Sequence, residues 1–342
     1  MIPWVLAMMA CKPDVSPNET APPDDSPSGD SGPVAVVDED GDGFPAWWTT
    51  DDPTLADCDD SEASVTPETE RYVRPGTFWR GGGENADTQP AREIELSPYC
   101  VDRFEVTNRQ LVTLLEERAA RGFDNVTDDG QTIYDFDDID DHVPERIERA
   151  EDGSFNVLDG YDDHPVVEVY YWSALTYCAD NGKTLPTEAQ WEKAARGDTD
   201  QRSFPWGDEV PDCSQANVRP TWEGEGANTV EPCVNDTVAV GSYPDGASPF
   251  GVLDMAGNVA EWVADWYQPQ YYETSTNVDP DGPDQGWDGY PADQPSLARV
   301  SRGGNFATGY AAIQVFTRYV EPDWASSNGL GFRCARPLTP PS

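Results

Sequence analysis

The sequence predicts an α+β fold of low regular secondary structure, and three observations carry that reading. The chain has 29 Gly and 31 Pro in 342 residues, too many turn-formers for a helical protein. Two helix starts are written as capping boxes, Thr107 with Gln110 and Thr187 with Gln190. Around them lie short apolar stretches separated by long irregular ones, so that a few helices and small strands must share one core. With 12 Trp and 14 Tyr, that core can be large.

Residues 1–11, Met1-Ile-Pro-Trp-Val-Leu-Ala-Met-Met-Ala-Cys11, are apolar and end with a small residue before Cys11. They resemble a bacterial lipoprotein signal. The resemblance implies lipid on Cys11 and export to an outer membrane or cell surface, periplasmic or extracellular. Residues 12–36 are rich in Pro, Ser, Asp and Gly and read as a disordered tether. No run of 18 apolar residues exists, so membrane contact is expected through the N-terminal lipid alone.

Residues 37–66 form an Asp-rich segment. Asp38, Asp40 and Asp42 alternate and are followed by Gly43, as in the first half of an EF-hand calcium loop. Alternation lets three carboxylates converge on one cation, and Gly43 permits the sharp turn. The twelfth loop position is Thr49, not Glu. Asp57, Asp59 or Asp60 could close the shell instead. The segment resembles short Asp-rich calcium-binding repeats of bacterial surface proteins. A metal would answer a physical need, because so short a segment has little core of its own.

The main domain is expected over residues 67–338, with a tail at 339–342. Arg74-Pro-Gly-Thr-Phe-Trp79 and Glu93-Ile-Glu-Leu96 read as strands. Thr107 opens a helix whose apolar face is Leu111, Leu114 and Leu115. Residues 123–163 are acidic and weakly patterned, and read as a long surface insertion. A helix after Trp172 closes at Asn181-Gly182, and one from Thr187 stops at Gly197.

The net charge of −44 argues against nucleic acid as a partner and favours a cationic ligand or a divalent metal. If Cys11 carries lipid, six cysteines remain, an even set that in an exported chain reads as disulfides with fifteen possible pairings.

Nine short motifs occur in order: Phe104-Glu-Val-Thr-Asn108, His164-Pro-Val-Val167, Leu185-Pro-Thr-Glu188 with Trp191-Glu192, Phe204-Pro-Trp-Gly207, Ala216-Asn217-Val218, Gly241-Ser-Tyr-Pro244, Asp254-Met-Ala-Gly257-Asn-Val259-Ala-Glu261-Trp262, Arg302-Gly-Gly304, and Gly331-Phe-Arg-Cys-Ala335. Over about residues 70–337 they resemble the sulfatase-modifying-factor domain of formylglycine-generating enzymes. The resemblance implies a modified C-type-lectin-like fold. It implies calcium held by Asp254, Gly257, Val259 and Glu261, a hard oxygen set from one loop. A second, weaker calcium position would use Asn217 and Val218; its acidic partner should fall near Pro232 to Val234, where only Glu231 stands nearby. Cys213 and Cys233 flank that region, where a disulfide could replace the ion. The resemblance also implies Cys178–Cys334, and subtraction leaves Cys58 with Cys100.

The family's oxidase chemistry uses two cysteines to hold Cu(I), a soft ion that prefers sulfur. Here the Ser of its Arg-Gly-Gly-Ser motif is Asn305, and the first cysteine position is Thr308. The second falls at Ile313 by direct count, or at Phe316 if Arg318-Tyr319 is the anchor. Neither is a thiol, so no copper is expected and no catalytic residue is assigned. His142 and His164 are the two histidines, too few for a three-histidine iron site. Gly81-Gly-Gly83 lacks the Lys-Ser/Thr of a phosphate cradle. The expected function is a lipid-anchored, calcium-stabilised module that binds a peptide or glycan in a former active-site groove near Asn305, Thr308 and Trp262. The alternative is an enzyme, either a formylglycine-type oxidoreductase acting on a protein cysteine or another activity on the same frame. An accessory role beside a true enzyme is a third reading.

Overall fold

The computed structural model describes residues 37–50, 52, 54–136, 145–198, 201–222, 230–290 and 296–338. Cys11, the expected tether, His142 and residues 339–342 lie outside them.

Strands and helices are short, and the fold is α+β. β1 (Glu70–Val73) pairs antiparallel with β4 (Tyr99–Asp102), which pairs on its other edge with β11 (Ala335–Pro337). β2 (Gly76–Arg80) and β3 (Arg92–Leu96) form a hairpin over the two stretches expected as strands. A second sheet runs in the order β10 (Leu330–Phe332), β7 (Ala260–Trp266), β8 (Ala298–Arg302), β9 (Tyr319–Pro322). Its β10–β7 pair is parallel and the others are antiparallel. Three of its four strands, β7, β8 and β10, carry parts of the last three motifs of the sequence.

Three helices follow from their local signals. α1 (Asn108–Ala120) begins at Thr107, whose side chain accepts from Gln110 N while Gln110 returns to the Thr107 backbone. Its Leu111, Leu114 and Leu115 are buried. α2 (Tyr171–Asp180) ends at Asn181, followed by Gly182 at φ 68°. α3 (Glu188–Arg196) carries the second capping box. It is a core helix despite its charges: Glu188, Glu192, Lys193 and Arg196 are all buried. Partners make that possible. Arg302 reaches Glu192 at 2.8 Å and Arg318 reaches Glu188 at 2.7 Å, both from the far end of the chain. A buried charge persists only when paired in this way.

The described parts of the stretch 123–163 do not lie wholly at the surface. Ile133, Tyr134 and Ile147 are fully buried, and Phe155 nearly so, in the cluster that holds α1, α2 and Trp262. β5 (Ile147–Arg149) and β6 (Phe155–Val157) form a hairpin there. Acidic residues outnumber the apolar ones in this stretch, so its periodicity is masked while its few large side chains still reach the core.

All three cysteine pairs close as expected: Cys58–Cys100, Cys178–Cys334 and Cys213–Cys233. The first ties the acidic segment to β4, beside Trp47 packed on Tyr72. The second joins α2 to the residue before β11.

Candidate functional site

The loop leading into β7 is conformationally costly. Asp254 and Asn258 adopt φ of 58° and 60°, values that side-chain-bearing residues rarely take. Between them Gly257 is required: a Cβ there would strike Val218 Cγ1 at 2.5 Å and press on the Asn217 carbonyl. Tertiary contacts hold the loop in this shape. Asn258 donates to Glu105 at 2.6 Å and accepts from Val238 N at 2.9 Å. Val259 N donates to Glu105 at 3.2 Å. Gly241 N donates to Asp254 at 2.6 Å.

Glu105, Asp254 and Glu261 thus gather in a buried space around one guanidinium, Arg333. Arg333 grips Glu261 with two bonds of 2.7 Å, and Trp191 Nε1 adds a third at 2.9 Å. Burial pushes Asp254 up to about 6, with the nearby Glu261 charge adding to the effect. Burial, then the charges of Asp254 and Glu261, raise Glu105 well above the usual carboxylate range. Three carboxylates against one cation leave negative charge without compensation in a dry place. A hard divalent cation fits such a donor set, and carboxylates already bonded by N–H groups keep further lone pairs for it. Glu105 was absent from the expected ligands. Its motif, Phe104-Glu-Val-Thr-Asn108, was legible, but its place beside Asp254, about 150 residues on, was not.

At the weaker calcium position each donor oxygen already accepts one hydrogen bond. Asn217 Oδ1 accepts from Val234 N at 3.1 Å, the Asn217 carbonyl from Asn258 N, and the Val218 carbonyl from Cys233 N. Asn217 Nδ2 donates to the Asp236 carbonyl at 2.8 Å, and the Asp236 carboxylate accepts from Arg146 at 2.5 Å and Tyr161 at 2.7 Å. The Cys213–Cys233 disulfide closes this region.

At the positions matched to the family's two cysteines, the structure separates the two possible second residues. A Cβ on Gly304 would meet Thr308 Oγ1 at 2.8 Å and Ile313 Cγ2 at 2.9 Å, so residues 308 and 313 converge on one point. Phe316 lies elsewhere, over Gly82 and Gly83 and beside the Arg196 guanidinium. Thr308 Oγ1 is occupied locally, accepting from Asn305 N and donating to Asn305 O. Ile313 is fully buried with Phe204, Val218 and Tyr310. One hydroxyl and one aliphatic side chain cannot hold Cu(I), and every cysteine among the described residues is in a disulfide.

The expected groove is altered as well. Trp262 is not part of it: the ring is fully buried and its Nε1 donates to Val169 O at 3.0 Å. The exposed aromatic here is Trp222, 49% accessible and edge-on to Tyr310 at 5.4 Å. Arg219 lies alongside, its N donating to Thr308 O and its Nε to Ala307 O. A cavity of about 560 Å³ occurs elsewhere, where Asp59, Glu62 and Glu70 face Asp102, Lys183 and Arg336.

The Asp-rich segment folds back on itself. Ala46 bridges Asp57, and Glu39 N donates to Asp60 at 2.9 Å, so the alternating Asp38-Asp40-Asp42 run meets Asp57 and Asp60. Burial, reinforced by the charges of Asp42, Asp40 and Asp60, pushes Asp57 up to about 7. Asp59 is no member of this group. Its carboxylate turns away to Arg336, 2.9 Å distant, and to Ser61. His164, half-buried, shares its Nδ1 with Thr237 at 2.9 Å as a structural residue.

The model of the sulfatase-modifying factor enzyme 1-like domain matches residues 56–338, starting earlier than the expected boundary at 67. The chain belongs to this family. A formylglycine-generating enzyme of Thermomonospora curvata is 32% identical over 295 residues, spanning 76% of this chain and 91% of that one. An inactive C-alpha-formylglycine-generating enzyme 2 of Bos taurus is 28% identical over 76% of this chain and 86% of its own. Among solved structures, PvdO from Pseudomonas aeruginosa superposes with a TM-score of 0.56 at 21% identity, covering 79% of this chain and 94% of its own. That likeness speaks for the fold.

Proposed function

We propose that this family member is a binding module and not a copper oxidase. The observation that carries the reading is the meeting of Thr308 and Ile313 at Gly304, where the oxidase chemistry needs two thiols. A relative whose own name calls it inactive is consistent with a frame that outlasts its chemistry. The ligand is a peptide or glycan, received on the surface around Trp222, Arg219 and Asn305. An exposed indole beside polar groups suits stacking on a sugar face or an apolar side chain. Calcium stabilises the module through Asp254, Gly257, Val259 and Glu261, with Glu105 beside them. Calcium supplies positive charge to the buried carboxylates, and Asn258 and Gly257 shape the loop that presents them. Three disulfides support an exported protein, since such bonds persist in oxidising compartments. Lipid on Cys11 would anchor it to an outer membrane or cell surface.

The test has two arms. The purified chain is mixed with Cu(I), oxygen and a peptide bearing a Cys-x-Pro-x-Arg sequence, and the peptide is weighed. No mass change is expected, against conversion to the aldehyde by an active family member. The same protein is then screened on peptide and glycan arrays beside Trp222→Ala. Loss of a specific array signal in the variant supports the reading, and aldehyde formation by the wild type overturns it.

A further inference from the structure

The cavity of about 560 Å³ has a volume within the usual range of small-ligand sites. Residues 59–70 form one wall. Asp102 of β4, Thr107 at the start of α1, Tyr177 on α2 and Lys183 form the other. The Cys58–Cys100 bond ties the first wall to the second. Lys183 ties them again, with its Nζ 2.7 Å from Glu70 and 2.5 Å from Asp102. Arg336 pairs with Asp59 at 2.9 Å and with Glu70 at 3.3 Å. The walls are thus fixed before any ligand arrives, which lowers the ordering cost of binding.

Two observations say what the cavity lacks. The first is a charge imbalance. Asp59, Glu70 and Asp102 share two cations, Lys183 and Arg336. Glu68 is matched by Arg103. Glu62 has no cation among the described residues, and its carboxylate accepts from Ser64 Oγ at 2.8 Å. An anionic ligand would find both lining cations already paired, whereas a cation would be drawn in. The second observation is Tyr177. It lines the cavity and is 7% exposed, yet its hydroxyl has no hydrogen-bond partner among the described residues. Burial, and then the charges of Asp102 and Glu117, raise that hydroxyl above its ordinary range, so it stays protonated and keeps its lone pairs for a donor. A buried hydroxyl left unbonded is unfavourable until a ligand satisfies it.

We propose that this cavity binds an alkylammonium group, carried by a free diamine or by a lysine side chain, with Glu62 supplying the counter-charge and the Tyr177 hydroxyl accepting from the ammonium. An ammonium carries donors alone, on a compact and rotatable head, and so can serve single oxygens on separate walls. A guanidinium is a planar fork that wants a carboxylate face, and the carboxylates that could offer one here are already paired. Lys183 shows the same chemistry in the protein itself, where one ammonium bridges the carboxylates of Glu70 and Asp102. Val65, Phe104 and Val240 give the alkyl stem an apolar surface to lie on. A bare metal ion fits less well. The acidic trios whose oxygens converge within 4.8 Å, Asp38 with Asp40 and Asp42, and Asp40 with Asp57 and Asp60, lie outside the lining.

This inference does not depend on the proposed function, because Trp222, Arg219 and Asn305 are not part of the lining. Isothermal titration calorimetry of the full chain, at physiological salt and fixed calcium, uses putrescine, N-acetyl-lysine methylamide and butanediol as probes. At least one of the two amines is expected to bind, at one site per chain. Butanediol, which has the stem of putrescine without its charge, is expected not to. Tyr177→Phe removes the hydroxyl and Glu62→Gln removes the charge, and each should weaken amine binding about tenfold. Glu62 is exposed, so its variant tests the site even where Tyr177→Phe disturbs the core. Glu116→Gln, exposed on α1 and outside the lining, controls for the general pull of a chain of net charge −44 and should leave the affinity unchanged. Binding of putrescine alone identifies a free amine as the source, and binding of the lysine compound alone identifies a peptide. Silence from both amines, butanediol binding as tightly as putrescine, or losses in Tyr177→Phe and Glu62→Gln no larger than in Glu116→Gln overturn the proposal.

Discussion

Asp265 should make this protein more stable as the pH falls, and Asp265→Asn should abolish that response. The side chain is 2% exposed on β7, and its Oδ2 accepts from Glu188 N at 2.7 Å. Burial and the neighbouring Glu188 carboxylate push it up to about 7, while Arg318 and Arg80 oppose the shift. Glu188 is held down instead by Arg318 and Arg302, so of the two acids it is Asp265 that takes the proton. In the unfolded chain Asp265 titrates near 3.8. Below that value both states are protonated and the site has no effect. Between 3.8 and about 7 the unfolded state loses its proton and the folded state keeps it, so stability falls as pH rises. Above about 7 the penalty is complete. At about 1.4 kcal/mol per pKa unit, it amounts to at most on the order of 4 kcal/mol. Asparagine mimics the protonated acid and can still accept from Glu188 N. Urea unfolding followed by tryptophan fluorescence, with disulfides intact and calcium fixed, would be run from pH 4 to 8. The variant should match the wild type near pH 4 and exceed it by a few kcal/mol at pH 8. Groups unconnected to Asp265 cancel in the difference. A difference independent of pH, or a variant less stable at pH 8, would refute the reasoning.

Two further outcomes test the frame around the site. Replacing both Cys178 and Cys334 by Ser opens a loop spanning 156 positions, and chain entropy sets the loss at about 5 kcal/mol; a shift in the urea midpoint measures it. Gly304→Ala adds a Cβ at φ 64° against Thr308 and Ile313, and should cost about 1–3 kcal/mol by differential scanning calorimetry. If it costs nothing, residues 308 and 313 do not converge as described.

What could be read along the chain was local. Both capping boxes form as spelled, because Thr and Gln three residues apart need only their own turn. The lack of a thiol at 308, 313 and 316 was visible in the same way, since a side chain without sulfur stays without it in any fold. Other readings failed where a residue's partner lay far along the chain. Asp59 looked like one more acid of a metal loop until Arg336, 277 positions away, claimed it. Trp262 looked like part of a groove, and the core of α1 and α2 closed over it. The stretch 123–163 looked peripheral, because charge density hid Ile133, Tyr134 and Ile147.

The sequence by itself determined the family resemblance, an even set of cysteines for disulfides, and the absence of a thiol at residues 308, 313 and 316. Each of these depends on which atoms the residues carry. The tertiary structure alone decided which carboxylates are left in need of a cation. Glu105 joins Asp254 through contacts that no spacing announces, and of the three acids the sequence offered to the Asp-rich loop, Asp57 and Asp60 join Asp40 while Asp59 does not. The physical reason is that a carboxylate's chemistry is set by desolvation and by its neighbours' charges. Both are properties of where the chain comes together and not of the order in which it is written.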